Sequence, residues 1–153
     1  MKTGSQTMNE PLRHNQLEPS LNPIDGVWTL EQARAWDEAG TPLSDPYGAC
    51  PMGSIVFKNG RMIASLCNGD TDPGMSGKRE YSSYGGSFSF DGQKLDVFVD
   101  IASEPNRIGG HQLREAIIEG ERLILRPPLR AYGGSLQQRE LVWRRVVPWP
   151  GTK

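Results

Sequence analysis

Apolar and polar residues alternate along most of this chain with the two-residue period of β-strands, and no long helical run interrupts them. The clearest alternation is Gln93–Ser103. Leu95, Val97, Val99 and Ile101 share one face there, and Asp96, Phe98, Asp100 and Ala102 share the other. The same period predicts eight strands in succession: about Val27–Asp37, Ser54–Lys58, Arg61–Asn68, Tyr81–Phe90, Gln93–Ser103, Gly110–Glu119, Arg122–Arg126 and Arg139–Val147. The first has a helical competitor, because Leu30–Ala35 has good helix propensity, but the seven later strands need a partner. Several turns are short: Asn59-Gly60, Asp91-Gly92 and Glu119-Gly120. Asn-Gly is the strongest local hairpin signal. Strands joined as consecutive hairpins suit a sheet that closes on itself. The expected fold is therefore all-β, an eight-stranded up-and-down antiparallel barrel, a size that holds one small ligand.

The segments between strands divide the chain. Residues 1–25 are polar and read as an extended or disordered N-terminal arm, residues 26–147 as the barrel, and 148–153 as a tail. Two long segments, Gly40–Pro51 and Gly69–Lys78, flank one hairpin and are expected to lie as lids over the same barrel mouth. Pro127-Pro128 ends the seventh strand, and a Gly133-Gly134 loop leads to the eighth.

Composition narrows the function classes. At 153 residues the chain is one domain, large enough to fold without disulfides or metal. Lys and Arg total 17 against 18 Asp and Glu, with the charges interspersed, so neither nucleic acid nor a membrane is an expected partner. No apolar run suggests a membrane span or a signal peptide, which makes a cytoplasmic location the default expectation. Counting back from Asn59-Gly60 places Cys67 opposite Met52 and near Cys50. A bridge is geometrically conceivable, and two unlinked thiols are the plainer expectation. Two histidines far apart, His14 and His111, and no Cys-x-x-Cys imply no metal and no cofactor. A homodimer through an outer barrel face stays open.

Several strings together resemble one family. Gly26-Val27-Trp28 is similar to the Gly-x-Trp opening of lipocalin-type barrels. More specific are Tyr81-x-x-Tyr84-x-Gly86-x-Phe88, Asp91-Gly92, Asp100 and Pro105-Asn106-x-Ile108-Gly109-x-x-Gln112-x-Arg114. They are followed by Gly120-Glu121-Arg122-Leu123-x-Leu125 and Leu141-Val142-Trp143. The set, over residues 26–147, resembles the lipocalin-like domain family of bacteria and fungi. The resemblance implies a small calycin-type barrel with an internal pocket, and it does not imply one reaction. The chain departs from the family pattern at Val97 and Phe98, where a His pair is frequent, and at Arg107, where an aromatic is frequent.

The candidate site residues follow from parity and from that resemblance. An inward Trp28 would close the barrel floor and carry Gln32, Arg34 and Trp36 inward with it. An inward Arg34 needs an anion, which Asp96, Asp100 or a ligand would supply. If the aliphatic face of Gln93–Ser103 lines the pocket, Asp96, Phe98 and Asp100 are solvated. If the aspartates face in, two carboxylates share the inner face of one strand, and one is poised as a general base. The resemblance favours Gln112 and Arg114 inward, with His111 outward. Tyr84 either donates to a developing oxyanion or packs with its hydroxyl satisfied, and Phe88 and Trp143 are expected to pack.

The leading reading is binding of a small organic ligand, largely apolar with one polar or anionic group. Trp28, Gln32, Trp36, Phe98, Gln112 and Arg114 would contact it. The alternative is a cofactor-free isomerase, cyclase or lyase that uses Asp100 or Asp96 with Arg34 and Tyr84. A third reading is an interaction module whose interior is filled by side chains.

Overall fold

The computed structural model describes residues 22–70 and 79–146. Alternation produces nine strands: β1 (Gly26–Trp36), β2 (Pro51–Lys58), β3 (Arg61–Asn68), β4 (Tyr81–Phe90), β5 (Lys94–Ala102), β6 (His111–Glu119), β7 (Arg122–Arg126), β8 (Arg130–Tyr132) and β9 (Ser135–Arg145). Each barrel strand pairs antiparallel with its neighbours, in the order β1-β2-β3-β4-β5-β6-β7-β9, and β9 closes onto β1. The expected eight-stranded up-and-down barrel is thus present. The ninth strand, β8, is an addition. Gly133-Gly134 makes a tight turn at φ 59° and 87°, so β9 begins at Ser135 rather than Arg139 and forms a hairpin with β8 beyond the barrel rim. Asn59-Gly60 turns as expected, with both residues at positive φ and Lys58 opposite Arg61. Met52 lies opposite Cys67, and both cysteines are free thiols.

The core sits at one end of the barrel. Trp28, Phe57, Leu95, Val97 and Leu123 are fully buried there, and Phe57 meets Phe88 edge-to-face at 5.0 Å. Ile24 plugs the floor. The Trp28 indole N–H donates to the Ile24 carbonyl at 2.9 Å, and Arg145 stacks on Trp28 while donating to the carbonyls of Asp25 and Pro23. Residues 22–25, assigned to the arm by sequence, therefore belong to the closed end. The remainder of the arm, the tail 148–153 and residues 71–78 of the second loop lie outside the described residues.

One irregularity decides which side chains reach the interior. In β1 the register against β9 shifts between Leu30 and Gln32, a bulge at Glu31. Trp28 and Leu30 point inward before it, and Ala33 and Ala35 after it. Gln32, Arg34 and Trp36 are turned outward, against the parity expected from sequence, because one extra residue exchanges the faces of everything beyond it.

Candidate functional site

The opposite end of the barrel is open, and a cavity of about 420 Å³ enters it. Its deep wall is apolar: Ile55, Ala64, Leu66, Leu125, Leu141 and Trp143. Its mouth is cationic and aromatic. Arg107, Arg114, Arg130 and Arg139 line it with Tyr47, Tyr84 and Tyr132, and the carboxylates among the described lining residues are Glu80 and Glu104. The volume falls within the range of small-molecule pockets.

Local folding places each arginine. Along β6, Gln112 and Arg114 pair with inward Val97 and Leu95 of β5, which puts them on the inner face. Arg107 ends the short 3₁₀ turn Pro105–Arg107, which folds it back over the mouth. Its guanidinium stacks 4.2 Å from the Tyr84 ring centre and donates to Ser82 Oγ (2.9 Å), Glu104 Oε1 (3.1 Å) and Gln112 Oε1 (2.9 Å). Arg114 donates to the same Gln112 oxygen at 2.7 Å and to the Leu113 carbonyl at 2.8 Å. Two guanidinium groups are thus held by one neutral amide oxygen. On β9, Arg139 follows the inward parity of Trp143 and Leu141, and it stacks on Tyr132 at 3.7 Å with Arg130 at 4.9 Å. Among the described residues Arg107 alone of these four has a carboxylate partner, Glu104.

The Gly40–Pro51 loop supplies a partial lid. Tyr47 adopts φ 64°, an uncommon conformation for a bulky side chain, with Gly48 next to it at 74°. The Tyr47 N–H donates to Glu80 Oε1 at 3.1 Å. Burial pushes the Tyr47 phenol above its ordinary value despite Arg139 nearby, so the group stays neutral. Deeper in, the Trp143 indole N–H is buried with no partner among the described residues.

Several residues expected at the site stand elsewhere. Asp96, Phe98 and Asp100 lie on the outer wall, because Leu95, Val97 and Val99 fill the interior. Asp96 Oδ1 lies 2.8 Å from His111 Nδ1, and Phe98 packs beside that ring, 43% exposed. Asp100 accepts two hydrogen bonds from Arg61, at 2.7 and 2.9 Å, and these hold its carboxyl below the usual range. An exposed carboxylate kept ionised in this way is a poor general base, and neither aspartate reaches the cavity.

Arg34 meets its need for an anion on the outer wall. Its partner is Glu140 (3.0 Å), a buried carboxylate that also accepts from Arg126 at 2.9 Å. Gln32 and Trp36 share that outer face through the Glu31 bulge. Trp28 is inward but sealed in the floor. Of the expected site residues, Tyr84 and Arg114 line the cavity, and Gln112 braces Arg107 and Arg114.

Sequence reasoning missed Arg107, Arg130, Arg139, Tyr47 and Tyr132. For Arg139 a signal was available, since counting back in twos from Trp143 reaches it. For Arg107 the signal was its departure from the family's usual aromatic. A larger groove outside the barrel, about 760 Å³, runs past Leu113, Ile117 and Pro128 and meets the cavity wall at Arg114 and Pro127.

Among the described residues, no group of three metal-ligating side chains comes together, and no helix is long and apolar enough to cross a membrane. No curated protein matches the chain. A barrel of this kind suits small-molecule binding in general. The family model for the lipocalin-like domain matches residues 25–146, the whole span of the closed barrel, and the chain belongs to that lipocalin-like domain family.

Proposed function

We propose that the protein binds a small organic anion inside the barrel, with its apolar body against the deep wall and its charged group at the arginine mouth. The observation that carries this reading is the imbalance of the lining: four arginines face two carboxylates, and Arg114 is anchored to neutral oxygens alone. Guanidinium groups crowded at a partly dry mouth repel one another, and an entering carboxylate relieves that repulsion through paired hydrogen bonds. The apolar wall beneath adds affinity through burial.

The test is a calorimetric comparison of decanoate with decanol and decylamine on the full chain. Decanoate should bind best. Arg114→Gln should weaken decanoate by about tenfold or more, the scale of a lost charge-assisted hydrogen bond, and leave decanol nearly unchanged. Equal affinity for the three, or none for any, overturns the reading. The acid–base alternative built on Asp96 or Asp100 loses its base, because both carboxylates are paired on the outer wall.

A further inference from the structure

The four arginines that line the mouth stand on two separate supports. Arg107 and Arg114 converge on one side, where both donate to Gln112 Oε1, at 2.9 and 2.7 Å. Arg139 and Arg130 gather on the other, with their guanidinium carbons 3.7 and 4.9 Å from the Tyr132 ring centre. The sheet keeps the two sets apart. Glu115 faces Arg126 across β6 and β7, Leu125 faces Leu141 across β7 and β9, and Gln138 Nε2 donates to the Pro127 carbonyl. Continued toward the mouth, this register puts Arg114 and Arg139 on either side of Pro127, two strand spacings or about 10 Å apart at the backbone. Set against Glu80 and Glu104, the four arginines leave an excess of two positive charges among the described lining residues.

A single carboxylate is small enough to be taken up by one set, through paired hydrogen bonds to its two oxygens. The other set would stay uncompensated at a partly dry mouth. We infer that the ligand carries two carboxylates at the same end of its apolar body, one for Arg107 and Arg114 and one for Arg130 and Arg139. The depth of the cavity imposes the same-end condition. Below the mouth the wall is Ile55, Leu66, Leu125 and Leu141, where a carboxylate at the far end would be buried without a partner. The ligand class is therefore a branched diacid of the alkylsuccinate kind. Its two carboxylates diverge across the mouth while its chain descends along the apolar wall. This inference deepens the reading of the cavity as an anion-binding pocket and rests on it.

The experiment measures affinity on the full chain by calorimetry. The main probe is octylsuccinate, which is decanoate with a carboxymethyl group on the carbon beside its carboxylate. Its control carries a carbamoylmethyl group there, of the same shape without the second charge. Decanoate, decanol and decanedioate complete the series. Octylsuccinate should bind about tenfold or more tighter than the carbamoylmethyl control, the scale of an added charge-assisted hydrogen bond. Decanedioate should bind more weakly than decanoate, because its second carboxylate would have to enter the apolar wall. Arg139→Gln should shrink the advantage of octylsuccinate over the control to about threefold or less, since one arginine set is then broken. If that variant fails to fold, the comparison of octylsuccinate with its control on the native chain decides.

Equal affinity for octylsuccinate and its control, with decanoate still ahead of decanol, would overturn the inference and leave anion binding standing. So would decanedioate binding as tightly as octylsuccinate, or an advantage of octylsuccinate that survives Arg139→Gln intact. Decanoate binding no better than decanol would overturn both.

Discussion

At the scale of single residues, the barrel depends on positions where a side chain has no room. Gly86 on β4 is the sharpest. It faces Val99 across a register shift between β4 and β5, and a Cβ at this position would collide with the Phe98 carbonyl. The obstacle is backbone inside a paired strand, so no rotamer change relieves it. Gly86→Ala should destabilise the fold by roughly 2–4 kcal/mol, read as a fall in the urea midpoint at constant slope. A change below about 0.5 kcal/mol would mean that the two strands slide apart at little cost. Single-residue chemistry also separates the two tryptophans of the interior. Trp28 has its N–H satisfied, whereas the Trp143 N–H is buried with no partner among the described residues. Both stand in apolar strand runs of the sequence, and nothing in those runs distinguishes them. The difference is whether a carbonyl lies opposite the indole nitrogen, which is a fact of tertiary packing.

At the scale of elements, the Glu31 bulge determines what the barrel contains. Strand existence, order and the hairpin turns were legible from alternation and turn residues, because each is a local property. The inward face of β1 beyond Leu30 was not, since a bulge is a disagreement between two strands, and one strand's sequence does not display it. Ala33 and Ala35, small and apolar in an otherwise polar stretch, were the trace it left. Deletion of Glu31 removes the extra residue and forces one part of β1 to the wrong face, with Arg34 driven toward the core or Trp28 out of it. The deletion should cost several kcal/mol and abolish a cooperative transition. Glu31→Ala keeps the bulge and removes only the half-exposed ion pairs to Arg144 and Arg122, so it should cost about 1 kcal/mol or less. Thermal unfolding of the two variants side by side separates register from charge. Equal losses would show that the bulge carries no such weight.

At the scale of the whole molecule, charge is divided by surface. The inside of the mouth has excess arginine, while the outer wall pairs its charges: Arg61 with Asp100, Arg34 and Arg126 with Glu140, and Arg144 and Arg122 with Glu31. The near-neutral composition conceals this division, which is why net charge gave no hint of an arginine-lined mouth. It also separates two pH responses. The Arg144 hydrogen bond holds Glu31 below its ordinary value, the Lys94 and Gln93 backbone N–H groups do the same for Asp91, and Arg61 does so for Asp100. A carboxylate with a depressed folded value binds fewer protons in the native state than in the unfolded state. Its contribution is therefore complete at neutral pH and is lost as pH falls through the folded value. Stability should be flat from about pH 8 to pH 5 and decline below about pH 4.5, where the unfolded carboxylates begin to take up protons. Asp91→Ala should lower the neutral-pH stability and flatten the acid limb, because the variant has one fewer carboxylate to protonate. Decanoate affinity should instead follow the ligand's own protonation and should fall with added salt. Urea midpoints and decanoate titrations across the same pH series would show whether the two limbs separate. A loss of affinity well above pH 5 would overturn the assignment of the ligand's charged group to the arginines of the mouth.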